Sequence, residues 1–173
     1  ENRVDDEGGM GIAGGIKANS ALQQVGLGSN NMSDAGSQAV VAAVAKNRSM
    51  VKLDMSGNLV CCGAAGAIAK AITSHKSLSS LKLSSTCMGD DGASIIAKSL
   101  QNSTSLTFLD ISNCNFGDQG AAAFARGLGR LITLDLEMNR IGDTGATTLA
   151  DVLKTNTTLE VLRLRSNRLG SEG

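Results

Sequence analysis

One unit repeats along the whole chain, and it limits the possible folds more than any other feature. Its clearest copy is Leu131 to Thr158, LITLDLEMNRIGDTGATTLADVLKTNTT. Leu131, Leu134 and Leu136 are spaced LxxLxL, and Asn139 follows three residues after Leu136. Ile141, Gly142, Asp143 and Gly145 come next, then Leu149, Ala150 and Leu153 at helical spacing. A period of two followed by a period of about 3.6 predicts a short strand, a turn and a helix. One such unit has an apolar side on both elements and can bury neither alone, whereas stacked copies bury both.

The first positions of successive copies are Leu22, Met50, Leu78, Leu106, Leu131 and Leu159, separated by 28, 28, 28, 25 and 28 residues. Asn2, Val4, Asp6, Gly8, Ile12, Ala13 and Ile16 occupy the places of the second half of an earlier unit. The segment LxxLxLxx(N/C)x(L/I), followed by a long helical stretch, resembles the ribonuclease-inhibitor type of leucine-rich repeat along essentially the whole chain. That resemblance implies an α/β leucine-rich-repeat solenoid, a horseshoe arc with a parallel sheet on the concave side and helices on the convex side. It implies a single array over residues 1–173, about six repeats, cut from a longer solenoid. It also implies a non-enzymatic scaffold for protein partners. Ribonuclease inhibitor, the sensing regions of innate-immune receptors, actin-filament capping proteins and axonemal regulatory subunits look like this, which points to a cytoskeletal or axonemal setting. The alternative of a different class is a GTPase-activating protein, because the Ran GTPase activators are similar solenoids. No specific catalytic motif of theirs matches here; Arg140 and Arg168 lie just after the asparagine position, on the strand-to-helix edge.

Within the unit, the asparagine side chain is expected to satisfy backbone groups that have lost sheet partners. Asn30, Asn58, Asn139 and Asn167 should form a ladder, poorest where Thr86 and Cys114 replace the amide. Asp6, Asp34, Asp90, Asp118 and Asp143 fit caps for their own helices. The unit from Met50 departs most, with Cys62 in place of the aspartate and Ala64 in place of the glycine. The unit from Leu106 is three residues short after Gly129, which requires a tighter return to the next strand. The stretch Gly9–Gly14, GMGIAG, spells G-x-G-x-x-G, yet the repeat register puts it inside a helix rather than in a phosphate-binding turn.

Composition narrows the function. Formal net charge is zero, which lacks the basic excess of a nucleic-acid footprint. No apolar run reaches the length of a membrane span. The N-terminus shows no signal-peptide pattern, so a cytoplasmic location is expected. Four cysteines without a CxxC pair, and a single histidine, His75, predict free thiols in a reducing compartment and no metal or cofactor site. Asp54, Asp110 and Asp135 would lie on an open, solvated sheet. Lateral charge pairing with Lys82 and Arg163 suits them better than acid–base catalysis.

Two further expectations follow from the register. On the concave face the fourth-position column reads Gly26, Asp54, Lys82, Asp110, Asp135, Arg163, and the sixth reads Gly28, Ser56, Ser84, Ser112, Glu137, Arg165. The face is small and bland at first and large and charged later. A partner is therefore expected on its C-terminal half, at Phe108, Asp110, Asp135, Glu137, Met138, Arg163 and Arg165. At the ends, Val25 and Leu27, and Leu159, Leu162 and Leu164, would each lack a covering element, so flanking repeats or partners are expected.

Overall fold

The computed structural model describes residues 2–173. Six strands and six helices alternate: α1 (Asp6–Ala18), β1 (Gln24–Gly26), α2 (Asp34–Lys46), β2 (Lys52–Asp54), α3 (Cys62–Ser74), β3 (Ser80–Lys82), α4 (Gly89–Leu100), β4 (Phe108–Asp110), α5 (Asp118–Arg126), β5 (Thr133–Asp135), α6 (Asp143–Leu153) and β6 (Val161–Arg163). The strands form one parallel sheet in sequence order. Its register places Val25, Leu53, Leu81, Leu109, Leu134 and Leu162 in one row. Each helix packs on its sequence neighbours. Strands stack about 4.8 Å apart whereas helices need roughly 8–10 Å, so the strands take the inner side of the curve.

The core lies between sheet and helices. Leu131, Leu134, Leu136 and Ile141 are fully buried, and Leu149 nearly so. Burying each such side chain contributes roughly 1.5–3 kcal/mol. At the ends Val25, Leu159, Leu162 and Leu164 are half-buried. Leu27 is nevertheless buried. The backbone at Val4 is tied to the next unit through Asn31 N–H to the Val4 carbonyl and Val4 N–H to Asn30 Oδ1. GMGIAG is helical, inside α1.

The asparagine ladder is present. Asn58 donates to the Leu27 and Met55 carbonyls and accepts from Met32 N–H at 3.2 Å. Asn139 donates to the Ile111 and Leu136 carbonyls and accepts from Cys114 N–H. Asn167 repeats the pattern on Leu136, Leu164 and Ile141. Thr86 and Cys114 both converge on the Leu83 carbonyl. Neither side chain carries the paired donor and acceptor of an amide, so the ladder is thinnest there. Burial pushes the Cys114 thiol up to about 11, which keeps it protonated and unreactive at neutral pH.

The aspartates act differently from the expectation that they cap their own helices. Asp118 accepts from Gly142 N–H and Gly145 N–H, the start of the following helix, at 2.7 and 3.0 Å. Asp90 does the same to Gly117 and Gly120, and Asp6 to Ser33 and Gly36. Bonds from Ser33 Oγ, Ser33 N–H and Gly36 N–H hold the Asp6 carboxyl below its ordinary value. The cap of α1 itself is Asp5. The repeated glycine leaves room for this reach. A Cβ at Gly145 would lie 2.6 Å from Asp118 Oδ1, and one at Gly36 equally close to Asp6. Where Ala64 stands instead, Asp34 bonds only Cys61 N–H. Cys62 therefore deprives α4, not its own helix, of a cap. There Met88 precedes the helix without a side-chain bond, and Gly89 turns left-handed at φ +61°.

A second ladder closes the helix-to-strand return. Asn47 accepts from Ser49 and Met50 N–H and donates to the Ile16 and Asn19 carbonyls. Asn156 accepts from Thr158 and Leu159 N–H. His75 fills this place in its unit. Its Nδ1 accepts from Ser77 and Leu78 N–H, while its buried Nε2 has no hydrogen-bond partner. Burial, then the nearby Arg48, lowers the histidine pKa. In the short unit α5 ends early, and the return crosses α4 so closely that a Cβ at Gly127 or Gly129 would collide with the Ala97 or Leu100 carbonyl.

Two predictions follow from these ties. Asp118→Ala should lower stability by about 1–2 kcal/mol. In hydrogen exchange it should speed the Gly142 and Gly145 amides while leaving those at the start of α5 unchanged; the reverse pattern would return the cap to its own helix. For His75 the folded value lies below the ordinary 6.5, so the unfolded chain takes the proton first. Stability is then full above about pH 6.5 and falls below it. His75→Asn should remove that slope between about pH 5 and 7 in urea titrations, because the amide keeps the acceptor and does not titrate.

Candidate functional site

The sheet register brings the expected surface together. Phe108, Thr133 and Val161 are adjacent across β4, β5 and β6, and Asp110, Asp135 and Arg163 form the next row. Phe108 and Asp110 are half-buried, while Arg163 and Arg165 are exposed. Asp135 Oδ2 lies 3.5 Å from Arg163 Nη1, an ion pair open to water and worth little to stability. The other oxygen of each carboxylate is tied to its own backbone: Asp135 Oδ1 accepts from Glu137 N–H, and Asp110 Oδ1 from Ser112 N–H and Oγ. These bonds fix the carboxylates in direction on rigid strand ends. Lys82 lies in register between Asp54 and Asp110 but forms no ion pair with either among the described residues, contrary to the expected pairing.

Beside this surface runs a column absent from the sequence expectation. Ser29, Gly57, Ser85, Asn113, Met138 and Ser166, one per unit, all have positive φ. The N–H groups of the first five donate to the carbonyls of Ser56, Ser84, Ser112, Glu137 and Arg165 in the next unit, so the sheet ladder itself imposes the turn. Small or amide side chains suit it. Met138 does not, yet it holds φ +55° with half its surface exposed. Ile132 and Val161, also exposed, add to the apolar character of this region. The signal was readable as serine, glycine or asparagine just before the ladder asparagine, with Met138 the outlier.

The N-terminal half of the face is not featureless. Because Gly26 has no side chain, a hollow of about 260 Å³ opens there, bordered by Lys52, Asp54, Ser80 and Lys82. A glycine in an otherwise charged column was its sequence mark.

The leucine-rich-repeat family model matches residues 74–97, 102–125, 131–150 and 155–173, together half of the chain. The chain is a leucine-rich-repeat protein. No curated protein sequence matches it. Among solved structures, this leucine-rich-repeat chain resembles a leiomodin-1 fragment described as actin-binding site 2. That likeness has 17% identity, a TM-score of 0.60, and covers 91% of this chain and 77% of that one. An internalin from Listeria monocytogenes is similar at 15% identity and a TM-score of 0.54, over 91% of this chain and 45% of the internalin. Both likenesses concern the fold.

The cysteines of the repeat protein depart from the expected four free thiols. Cys61 and Cys87, equivalent edges of successive units joined by a single β-bridge, form a disulfide; Cys62 and Cys114 remain free. The repeat stacking brings their Cα atoms to 4.6 Å, within bridging range, which linear spacing could not reveal. The thiol argument for a reducing compartment therefore no longer supports that location. Among the described residues no group of histidine, cysteine and acidic side chains could hold a metal.

Alkylation of unfolded, unreduced protein should modify two cysteines, Cys62 and Cys114. Reduction should cost roughly 3–4 kcal/mol from the chain-entropy relation; modification of four cysteines before reduction would refute the bond. Met138→Gly should raise stability by about 1 kcal/mol by removing a side chain from a left-handed position, read as an upward shift of the urea midpoint.

Proposed function

We propose that this leucine-rich-repeat chain is a non-enzymatic protein-interaction module whose partner seats on the C-terminal half of the concave face, at Phe108, Asp110, Asp135, Glu137, Met138, Arg163 and Arg165. The observation that carries this reading is Met138, an exposed apolar side chain kept in a backbone conformation that disfavours it. Strain retained at the surface, beside an outward aromatic and two arginines, fits a contact residue better than a structural one. The aspartates, held in direction by their own backbone bonds, would lose little freedom when a partner's cations meet them.

The cytoskeletal form of the proposal draws support from the likeness to the leiomodin-1 fragment described as an actin-binding site. Actin, as monomer and as filament, is therefore the first probe. Asp135→Lys combined with Arg165→Glu should weaken capture by roughly tenfold or more, about 1.4 kcal/mol. Met138→Gly should also weaken it while raising stability. Binding unaffected by all three changes would place the contact elsewhere. A stimulated-hydrolysis assay with small GTPases, using Arg140→Ala and Arg168→Ala, tests the activator reading; acceleration lost in those variants would replace the scaffold proposal.

A further inference from the structure

Three furrows lie side by side on the helical face, between α1 and α2, α2 and α3, and α3 and α4. Each has a lysine on either wall: Lys17 and Lys46, Lys46 and Lys70, Lys70 and Lys98. Lys46 and Lys70 are thus shared, and the four form one continuous row. The central furrow, about 350 Å³, is otherwise lined mainly by Ala42, Ala45 and Ala67. Ile95, 40% exposed, stands in the third. No acid lines any of the three. None of the four lysines forms an ion pair among the described residues, whereas Lys154 of α6 is paired with Asp151. Beyond their first turns α1 to α4 contain no aspartate or glutamate at all.

The helix dipole favours a base in the last turn, which accounts for Lys17, Lys46 and Lys98 singly. It does not account for Lys70, which precedes the last turn of α3, nor for furrows without any compensating acid. Alanine floors leave the space between helices unfilled by the protein's own side chains. Lysine stems can lie along such apolar walls with their charges at the rim.

We propose that this row is a docking surface for an acidic amphipathic helix of a partner protein, laid across α1 to α4. Its apolar side chains would enter the furrows and its carboxylates would meet the lysines. The spacing supports this. Neighbouring helices lie roughly 8–10 Å apart, and a helix advances that far in about five to seven residues, close to two turns at the wider spacing. One face of a single helix can therefore present an acid to each lysine in turn. A bilayer fits less well, because the furrow surface is recessed between helices and, among the side chains lining the three furrows, Ile95 is the one large apolar group that projects. This site is on the opposite side of the sheet from the concave surface and does not depend on it.

The probe is a synthetic leucine–glutamate helix with a glutamate about every seven residues, compared with the same peptide carrying lysines and with vesicles containing phosphatidylserine. The acidic peptide should bind in fluorescence anisotropy, and more weakly as salt rises. Lys46→Glu, Lys70→Glu and Lys98→Glu together should weaken it by roughly tenfold or more. Ala42→Tyr, which fills a furrow at an exposed position without changing charge, should also weaken it. Circular dichroism should show each variant folded, and Lys70→Gln alone gives a milder step should the triple variant unfold. Asp135→Lys with Arg165→Glu should bind the peptide normally, which separates this site from the concave one. Equal binding of both peptides, binding unchanged by charge reversal, or a preference for vesicles over the acidic peptide would overturn the proposal.

Discussion

The units of this protein are incomplete without the next one, and the aspartate at most helix starts shows why. Its carboxylate satisfies amides of the following helix, as Asp118 does for Gly142 and Gly145. The asparagine amide likewise divides its bonds between two units, as Asn58 does with Leu27 and Met55. Backbone groups left open at the ends of short strands and helices are costly if buried unpaired. Stacking is therefore required by polar groups as well as by apolar area. Gly36 and Gly145 belong to the same constraint, since a methyl group at either would collide with the carboxylate oxygen of Asp6 or Asp118.

The irregular units show what happens when one tie is missing. Without an acid at Cys62, the start of α4 is rebuilt with a left-handed Gly89 whose N–H bonds the Cys114 carbonyl. The same pair of units lacks the asparagine amide at Thr86. A disulfide between Cys61 and Cys87 crosses this junction. A covalent link thus joins two units at the place where side-chain ties are fewest, which offsets part of the lost cohesion by restricting the unfolded chain.

The same stacking creates the surfaces. In-register strands turn one residue per unit into a row, so a change in a single column, such as glycine at Gly26 or methionine at Met138, becomes a hollow or a protrusion. Helices spaced more widely than strands leave furrows between them, and the lysines on their walls make those furrows a cationic row. Recognition and stability draw on different positions here: leucines and amides inside, columns of variable residues outside.

The repeat pattern by itself determined the solenoid, the strand and helix order, the asparagine ladder, its weak points at Thr86 and Cys114, and the rows of the concave face. Each of these follows from periodicity, because a fixed spacing puts equivalent residues in line. The tertiary structure alone decided which helix each aspartate caps, since Asp118 is as near in sequence to its own helix start as any N-cap would be, and only packing shows its reach to the next. It also decided the Cys61–Cys87 bond, the left-handed setting of Met138, the buried Nε2 of His75 and the lysine-walled furrows. These depend on distances between units and on directions of side chains, and a linear pattern carries neither.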